Sequence, residues 1–131
     1  MYLDTDIILA IVKPSDWLKD VVERKIKVLS DPKTSVFTLV EAEIVLNREV
    51  SRGLAVRVLD KVKERNIRLL PLTEKMLTKS VELLRKYPKL NIFDSIHIAC
   101  AICEGEAILS TDLLFDEIEE IEKVDPRDQD A

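Results

Sequence analysis

Short β-branched runs alternate along this chain with longer stretches whose apolar residues recur every three or four positions. The first pattern predicts strands and the second helices. Met1-Tyr2-Leu3 begins a first strand, and Ile7 to Val12 continues as helix. Pro14-Ser15-Asp16 then caps a helix from Trp17 to Leu29, with Trp17, Val21, Val22, Ile26 and Leu29 on one face. Ser35-Val36-Phe37 predicts a second strand. Helices follow over Leu39 to Val50 and over Leu54 to Arg65, the latter with Leu54, Val58, Leu59 and Val62 inward. Ile67 to Leu70 predicts a third strand, stopped by Pro71. Thr73 caps a helix carrying Met76, Leu77, Val81, Leu83 and Leu84, which ends at Tyr87-Pro88. Asn91 caps the next helix, Ile92 to Cys103, which is apolar nearly all round and therefore predicted to be buried, with Gly105 as its left-handed stop. Ala107-Ile108-Leu109 is a fourth strand, Leu113 to Ile118 a short helix, and Ile121 to Val124 a weak last strand.

Strands alternating with helices predict an α/β fold, a three-layer α/β/α sandwich around a mostly parallel sheet of four to five strands. The chain has 131 residues and no internal repeat or linker, which predicts one domain over residues 1–125 and a frayed acidic tail over 126–131. A composition of 47% hydrophobic and 34% charged residues, with only 2 Gly and 5 Pro, excludes collagen-like and disordered classes. No apolar run, Ile7 to Val12 among the longest, approaches the roughly 18 residues of a membrane span. No basic n-region or small-residue cleavage site opens the chain, so a soluble, cytoplasmic protein is expected.

The net charge of −5 is unevenly spread. Thr111 to Ala131 holds nine acids and two bases, which leaves 18 bases against 16 acids in the first 110 residues. The acidity therefore belongs to the tail and does not exclude a nucleic-acid substrate, although it argues against affinity resting on a broad basic face.

In a parallel sheet every strand delivers its carboxyl end to one edge, where ligands bind. Asp4 ends strand one, Glu41 lies in the first turn of the helix leaving strand two, and Asp112 leaves strand four. Only Glu104 to Glu106 separates the Ile92 helix from strand four, so that helix begins at the carboxyl edge and brings Asp94 there. Two carboxylates about 4 Å apart repel by roughly 1 kcal/mol in water and about 4 kcal/mol at an effective dielectric of 20. Such a cluster invites a cation, and hard oxygen donors select Mg²⁺ or Mn²⁺. No Ser-His-Asp set, phosphate loop or HExxH accompanies these acids. Taken singly, each has a plainer explanation: Asp94 suits the helix dipole, Asp112 can cap the Leu113 helix, and Glu41 can be a solvated residue with Glu43 beside it. Asp4, closing a strand inside an apolar segment, is the hardest to explain structurally.

Four segments together carry a family resemblance. They are Leu3-Asp4-Thr5-Asp6-Ile7-Ile8-Leu9, Ser35-Val36-Phe37-Thr38-Leu39-Val40-Glu41, Asn91-Ile92-Phe93-Asp94-Ser95-Ile96-His97-Ile98-Ala99 and Ile108-Leu109-Ser110-Thr111-Asp112-Leu113-Leu114-Phe115. In this order and at these separations the chain resembles the PIN-domain family, in particular the VapC-type toxin ribonucleases of toxin–antitoxin pairs. The resemblance implies Mg²⁺- or Mn²⁺-dependent cleavage of RNA phosphodiesters by water, with Asp4, Glu41, Asp94 and Asp112 as the catalytic acids. It further implies homodimers and inhibition by a small antitoxin protein. Asp4, Asp94 and Asp112 are the expected metal ligands, Glu41 a ligand or the group orienting the attacking water. Thr5, Ser110 and Thr111 are expected to support them by hydrogen bonds. Many members carry a second Asp where Leu114 stands here, and Asp116 is the candidate substitute. That departure also suggests an alternative, a non-catalytic PIN-like module binding RNA or a protein partner.

Other features point to structure rather than chemistry. Cys100 and Cys103, with His97 three residues earlier, sit on the apolar helix and are expected to pack in the core. His97 is expected about one turn below Asp94, away from the carboxyl edge. Lys61, Lys63, Arg65 and Arg68 could steer RNA or form a solvated face. Trp17 is expected in the core or at a dimer interface.

Overall fold

Strand β1 (Tyr2–Leu3) is the centre of a five-stranded parallel sheet with β2 (Lys33–Ser35), β3 (Arg68–Leu70), β4 (Ile108–Leu109) and β5 (Lys123–Val124), in the order β3-β2-β1-β4-β5. This computed structural model describes residues 1–128. Tyr2 aligns with Lys33 on one side and Ile108 on the other, and Leu3 aligns with Leu109. With a side-chain period of two, each central strand gives one residue to each face. Leu3 and Leu109 join the core built by α1 (Thr5–Val12), α2 (Lys19–Val28), α3 (Val36–Glu49), α4 (Arg52–Ala55) and α5 (Val58–Glu64). Tyr2 and Ile108 join the opposite core, built by α6 (Glu74–Lys86), α7 (Ile92–Cys103) and a 3₁₀ turn at Leu113–Glu117 that inserts Phe115. Helices on both faces make the expected three-layer sandwich. Each buried Leu or Ile contributes about 1.5–3 kcal/mol, so two filled cores make very short strands sufficient.

Several elements are displaced from the sequence expectation, each for a local reason. The second strand ends at Ser35 rather than Phe37, because the Ser35 hydroxyl accepts from Thr38 N and starts α3 at Val36. Its first residue, Lys33, is buried as the partner of Asp31 and Glu106. The predicted Leu54–Arg65 helix is two helices: Arg57 N donates to Leu54 O, a bond one residue shorter than α. Asp16 Oδ1 accepts from Leu18 N, so Leu18 is buried while Trp17 is 71% exposed, which rules out the core for it and leaves the dimer interface. On α6 the buried residues are Met76, Ser80 and Leu83, and Leu77 and Val81 face outward. Gly105 takes the left-handed conformation (φ 66°) expected of a helix stop.

After β5, Asp125 accepts from Arg127 N at 2.9 Å and from its guanidinium, which lies 5.1 Å from the Trp17 ring centroid. The end of the expected tail, residues 129–131, lies outside the described residues. Among the described residues no helix is long and apolar enough to cross a membrane.

Candidate active site

The five parallel strands end on one edge, and acids from four parts of the chain meet there. Asp4 follows β1 directly and caps α1: its Oδ1 accepts from Thr5 N at 2.8 Å and its Oδ2 from the Ser110 hydroxyl at 2.7 Å. Burial pushes Asp4 up to about 7, with Asp6 adding to the rise and His97 and the two hydrogen bonds opposing it. Ser110, just past β4, also receives Asp112 N at 3.1 Å, so one hydroxyl ties Asp4 to the segment that carries Asp112. Asp112 caps the 3₁₀ turn through Leu114 N. Asp94 lies in the first turn of α7, whose cap Asn91 accepts from Asp94 N at 2.8 Å. Burial raises Asp94 to about 6, and the charges of Asp112 and Glu41 add to the rise.

Glu41 reaches the edge from α3, and its Oε1 accepts from the Thr5 hydroxyl and from His97 Nε2 at 2.7 Å. Burial would raise Glu41, but these two bonds outweigh it and hold the carboxyl below its usual range. Thr5 hydrogen-bonds Asp4 and Glu41 and Ser110 bonds Asp4, whereas Thr111 bonds Asp6 rather than one of the expected acids.

Two residues of the edge were not expected from sequence. Asp6 turns inward from the first turn of α1, and its Oδ2 accepts from Thr111 N at 3.0 Å and Thr111 Oγ1 at 2.6 Å. Its Oδ1 is buried without a hydrogen-bond partner. Burial raises its pKa, and Asp112 adds to the rise. A second acid in the first turn of an apolar helix was the signal available for it. The other is His97, which corrects the expectation that it points away: Nε2 meets Glu41 and Thr5, and Nδ1 meets the Tyr2 hydroxyl. Burial lowers its pKa, yet the Glu41 bond and the charges of Asp4, Glu41 and Asp94 leave it raised. Helical side chains lean toward the N-terminus, which carries this ring back toward the edge.

Other expectations fall elsewhere. Asp116 is held by Lys123 Nζ at 3.1 Å, away from any pairing with the edge acids. Arg65 is engaged by Glu23 and Arg68 by Asp31, so these bases belong to ion pairs of their own. Cys100 is buried with its sulfur 3.6 Å from Met76 Sδ, and burial pushes its thiol up to about 11, so it packs as a small hydrophobe.

Among the described residues no three His, Cys, Asp or Glu side chains close tightly enough on one point to hold a metal ion as they stand. At the edge the acids act on one another at longer range, Asp4 with Asp6, Asp6 with Asp112, and Asp94 with Asp112 and Glu41. The donors offered are carboxylate oxygens, one of them orphaned and buried, and Asp4 and Asp94 are pushed up to about 7 and about 6 by burial and like charge. That donor set suits a hard divalent cation, which would relieve the repulsion.

A family profile described as PIN domain matches residues 1–121 of this chain. Comparison with curated proteins gives no match. Among solved structures, VapC20 of Mycobacterium tuberculosis, a sarcin-ricin loop cleaving toxin, is similar with a TM-score of 0.75 and 18% identity, over 92% of this chain and 98% of that one. VapBC2 from Rickettsia felis, bound to a fragment of its promoter DNA, matches with a TM-score of 0.79 and 15% identity, over 95% and 96%. DNA-bound VapBC from Salmonella typhimurium matches with a TM-score of 0.77 and 18% identity, over 95% and 96%. Identities this low speak for the fold.

Proposed function

This chain belongs to the PIN domain family, and from that premise we propose that it is a divalent-metal-dependent endoribonuclease, the toxin of a toxin–antitoxin pair. The observation that carries the reading is the gathering of Asp4, Asp6, Asp94, Asp112 and Glu41 at one sheet edge, with Asp4, Asp6 and Asp94 all raised by burial and like charge. A cluster so crowded is destabilising unless a cation completes it.

In this reading Asp4, Asp94 and Asp112 would hold Mg²⁺ or Mn²⁺. A bound ion of this kind lowers the pKa of water and stabilises charge on a phosphodiester. Glu41 has Oε1 engaged by Thr5 and His97, which leaves Oε2 to orient a water against phosphorus. The water oxygen would attack phosphorus and give up a proton to solvent, the bridging P–O bond would open, and the departing oxygen would take a proton from solvent. Thr5 and Ser110 keep Asp4 in place, and Thr111 keeps Asp6 in place. Ile92, Phe93 and Leu113 are exposed chain neighbours of Asp94 and Asp112 and offer apolar surface to bases. A small antitoxin protein is one proposed partner, in line with the toxin-antitoxin complex from Klebsiella pneumoniae that shares the fold; a second copy of the chain is the other.

A second reading, a non-catalytic PIN-like module, draws on Leu114 standing where an acid is usual and on Asp116 pairing with Lys123. One experiment separates the two. Purified protein is incubated with a mixed RNA pool and Mn²⁺ or Mg²⁺, with chelator, and as the Asp94→Asn variant. Cleavage that needs both metal and Asp94 is expected; neither cleavage nor Mn²⁺ binding by calorimetry would leave the module reading.

A further inference from the structure

We propose that His97 is a positioning residue for this cleavage: its Nε2–H fixes Glu41, and the buried Tyr2 hydroxyl behind the ring keeps that N–H aimed at the carboxylate. The inference rests on Glu41 serving the reaction as proposed above.

His97 and Tyr2 are 1% and 0% exposed, so every polar atom they carry needs a partner inside the protein. The partners are there. Nε2 lies 2.7 Å from Glu41 Oε1 and 3.0 Å from Thr5 Oγ1. Nδ1 lies 2.9 Å from the Tyr2 hydroxyl and 3.3 Å from Thr38 Oγ1. The Tyr2 oxygen is in turn 2.9 Å from Ser35 Oγ and 3.1 Å from Thr38 Oγ1. An ionised carboxylate only accepts, so the nitrogen facing Glu41 carries a hydrogen. In the neutral ring Nδ1 is then the acceptor, and the Tyr2 hydroxyl donates to it. In the charged ring Nδ1–H donates and the hydroxyl oxygen accepts. A tyrosine hydroxyl serves both states, so Nε2 donates to Glu41 in both.

Glu41 needs such help. Its side chain leaves the middle of α3 through flexible torsions and is partly solvent-exposed at the edge. Two donors converge on Oε1, one from α1 and one from α7, and they hold it from two sides. The ring is itself confined by Phe37, whose centroid is 5.3 Å away. Leu or Ile would fill this space in a core without hydrogen bonds. Instead two buried polar groups, Thr5 and His97, meet one carboxylate, and Tyr2, Ser35 and Thr38 stand behind the ring, as outer-shell groups do around a working one.

The test uses the full chain with His97→Gln, His97→Asn and Tyr2→Phe beside the wild type. A glutamine amide nitrogen reaches the position of Nε2, whereas that of asparagine reaches only the position of Nδ1. The expected result is kcat retained within about threefold in the Gln variant and lowered by roughly 10–100-fold in the Asn variant, with KM and Tm alike in both. The ¹⁵N spectrum of the wild-type ring should show a protonated Nε2, and Tyr2→Phe should reduce both that protonation and kcat. Equal kcat in the two amide variants, or a bare Nε2, would overturn the inference. If either variant fails to fold, the wild-type spectrum decides. Failure of the nuclease reading looks different: a wild type without metal-dependent cleavage, whatever the state of the ring.

Discussion

Ser110 donates its hydroxyl to Asp4 Oδ2 at 2.7 Å across 106 positions of sequence, and joins the ends of the two central strands. Replacing Ser110 with Ala leaves that oxygen of a buried carboxylate unpaired. The expected loss is about 1–3 kcal/mol of stability. Because this bond favours the charged form, Asp4 should titrate higher still in the variant. Chemical denaturation and a carboxyl ¹³C titration measure the two effects.

The pH dependence of the metal-free protein should carry the mark of Asp4. Its folded pKa, about 7, lies above the ordinary 3.8. A raised acid stabilises the fold fully below the unfolded value and loses that contribution as pH rises through the folded one. Metal-free stability should therefore fall between about pH 4 and pH 7 by a few kcal/mol relative to Asp4→Asn, in which the slope is absent. Comparing the two proteins removes the opposite trend of depressed carboxyls such as Glu23 and Asp125. Parallel curves would refute this.

Divalent metal should reverse that loss. At a concentration a hundredfold above Kd, Mn²⁺ adds about 2.7 kcal/mol and raises Tm accordingly. Chelator should restore the lower value. Asp6→Asn should likewise raise Tm, here in the metal-free protein: Asp6 raises Asp4 by its charge, so relieving that repulsion adds about 4 °C per kcal/mol gained. Differential scanning calorimetry at pH 7 reads both changes.

Asp112 and Asp116 should part company. Asp112→Asn is expected to lower RNA cleavage by roughly 100-fold or more. Asp116→Asn removes only a pairing with Lys123 that is half exposed on the acid side, an effect within about 0.5 kcal/mol on stability and with no effect on cleavage. Equal losses in the two variants would return Asp116 to the site.

The sheet and the positions of Asp4, Glu41, Asp94 and Asp112 were legible because strand ends and helix starts are marked by local chemistry, such as Asn91 capping α7 or Gly105 ending it. What escaped depended on direction rather than on sequence spacing. His97, three residues past Asp94, counts as one turn lower on the helix, but its ring leans back and arrives at Glu41. Asp6 stands two residues from Asp4, a separation that suggests opposite sides of a helix, yet Thr111 draws it inward. Trp17 has the spacing of a core residue and was displaced by one hydrogen bond from Leu18 N to Asp16. The Ala55–Val58 break was hidden because the buried Ala55, Val58 and Val62 keep helical spacing across it.

The placement of β1 between β2 and β4 sets a delay on the ribosome. Asp4 is made early, but the strand end that delivers Ser110 and Asp112 to it is made 106 residues later. At about 5–20 residues per second that interval is on the order of 5–20 s. Throughout it the growing chain, surrounded by RNA, holds only scattered acids. A PIN domain built this way assembles its acidic edge only when β4 docks beside β1.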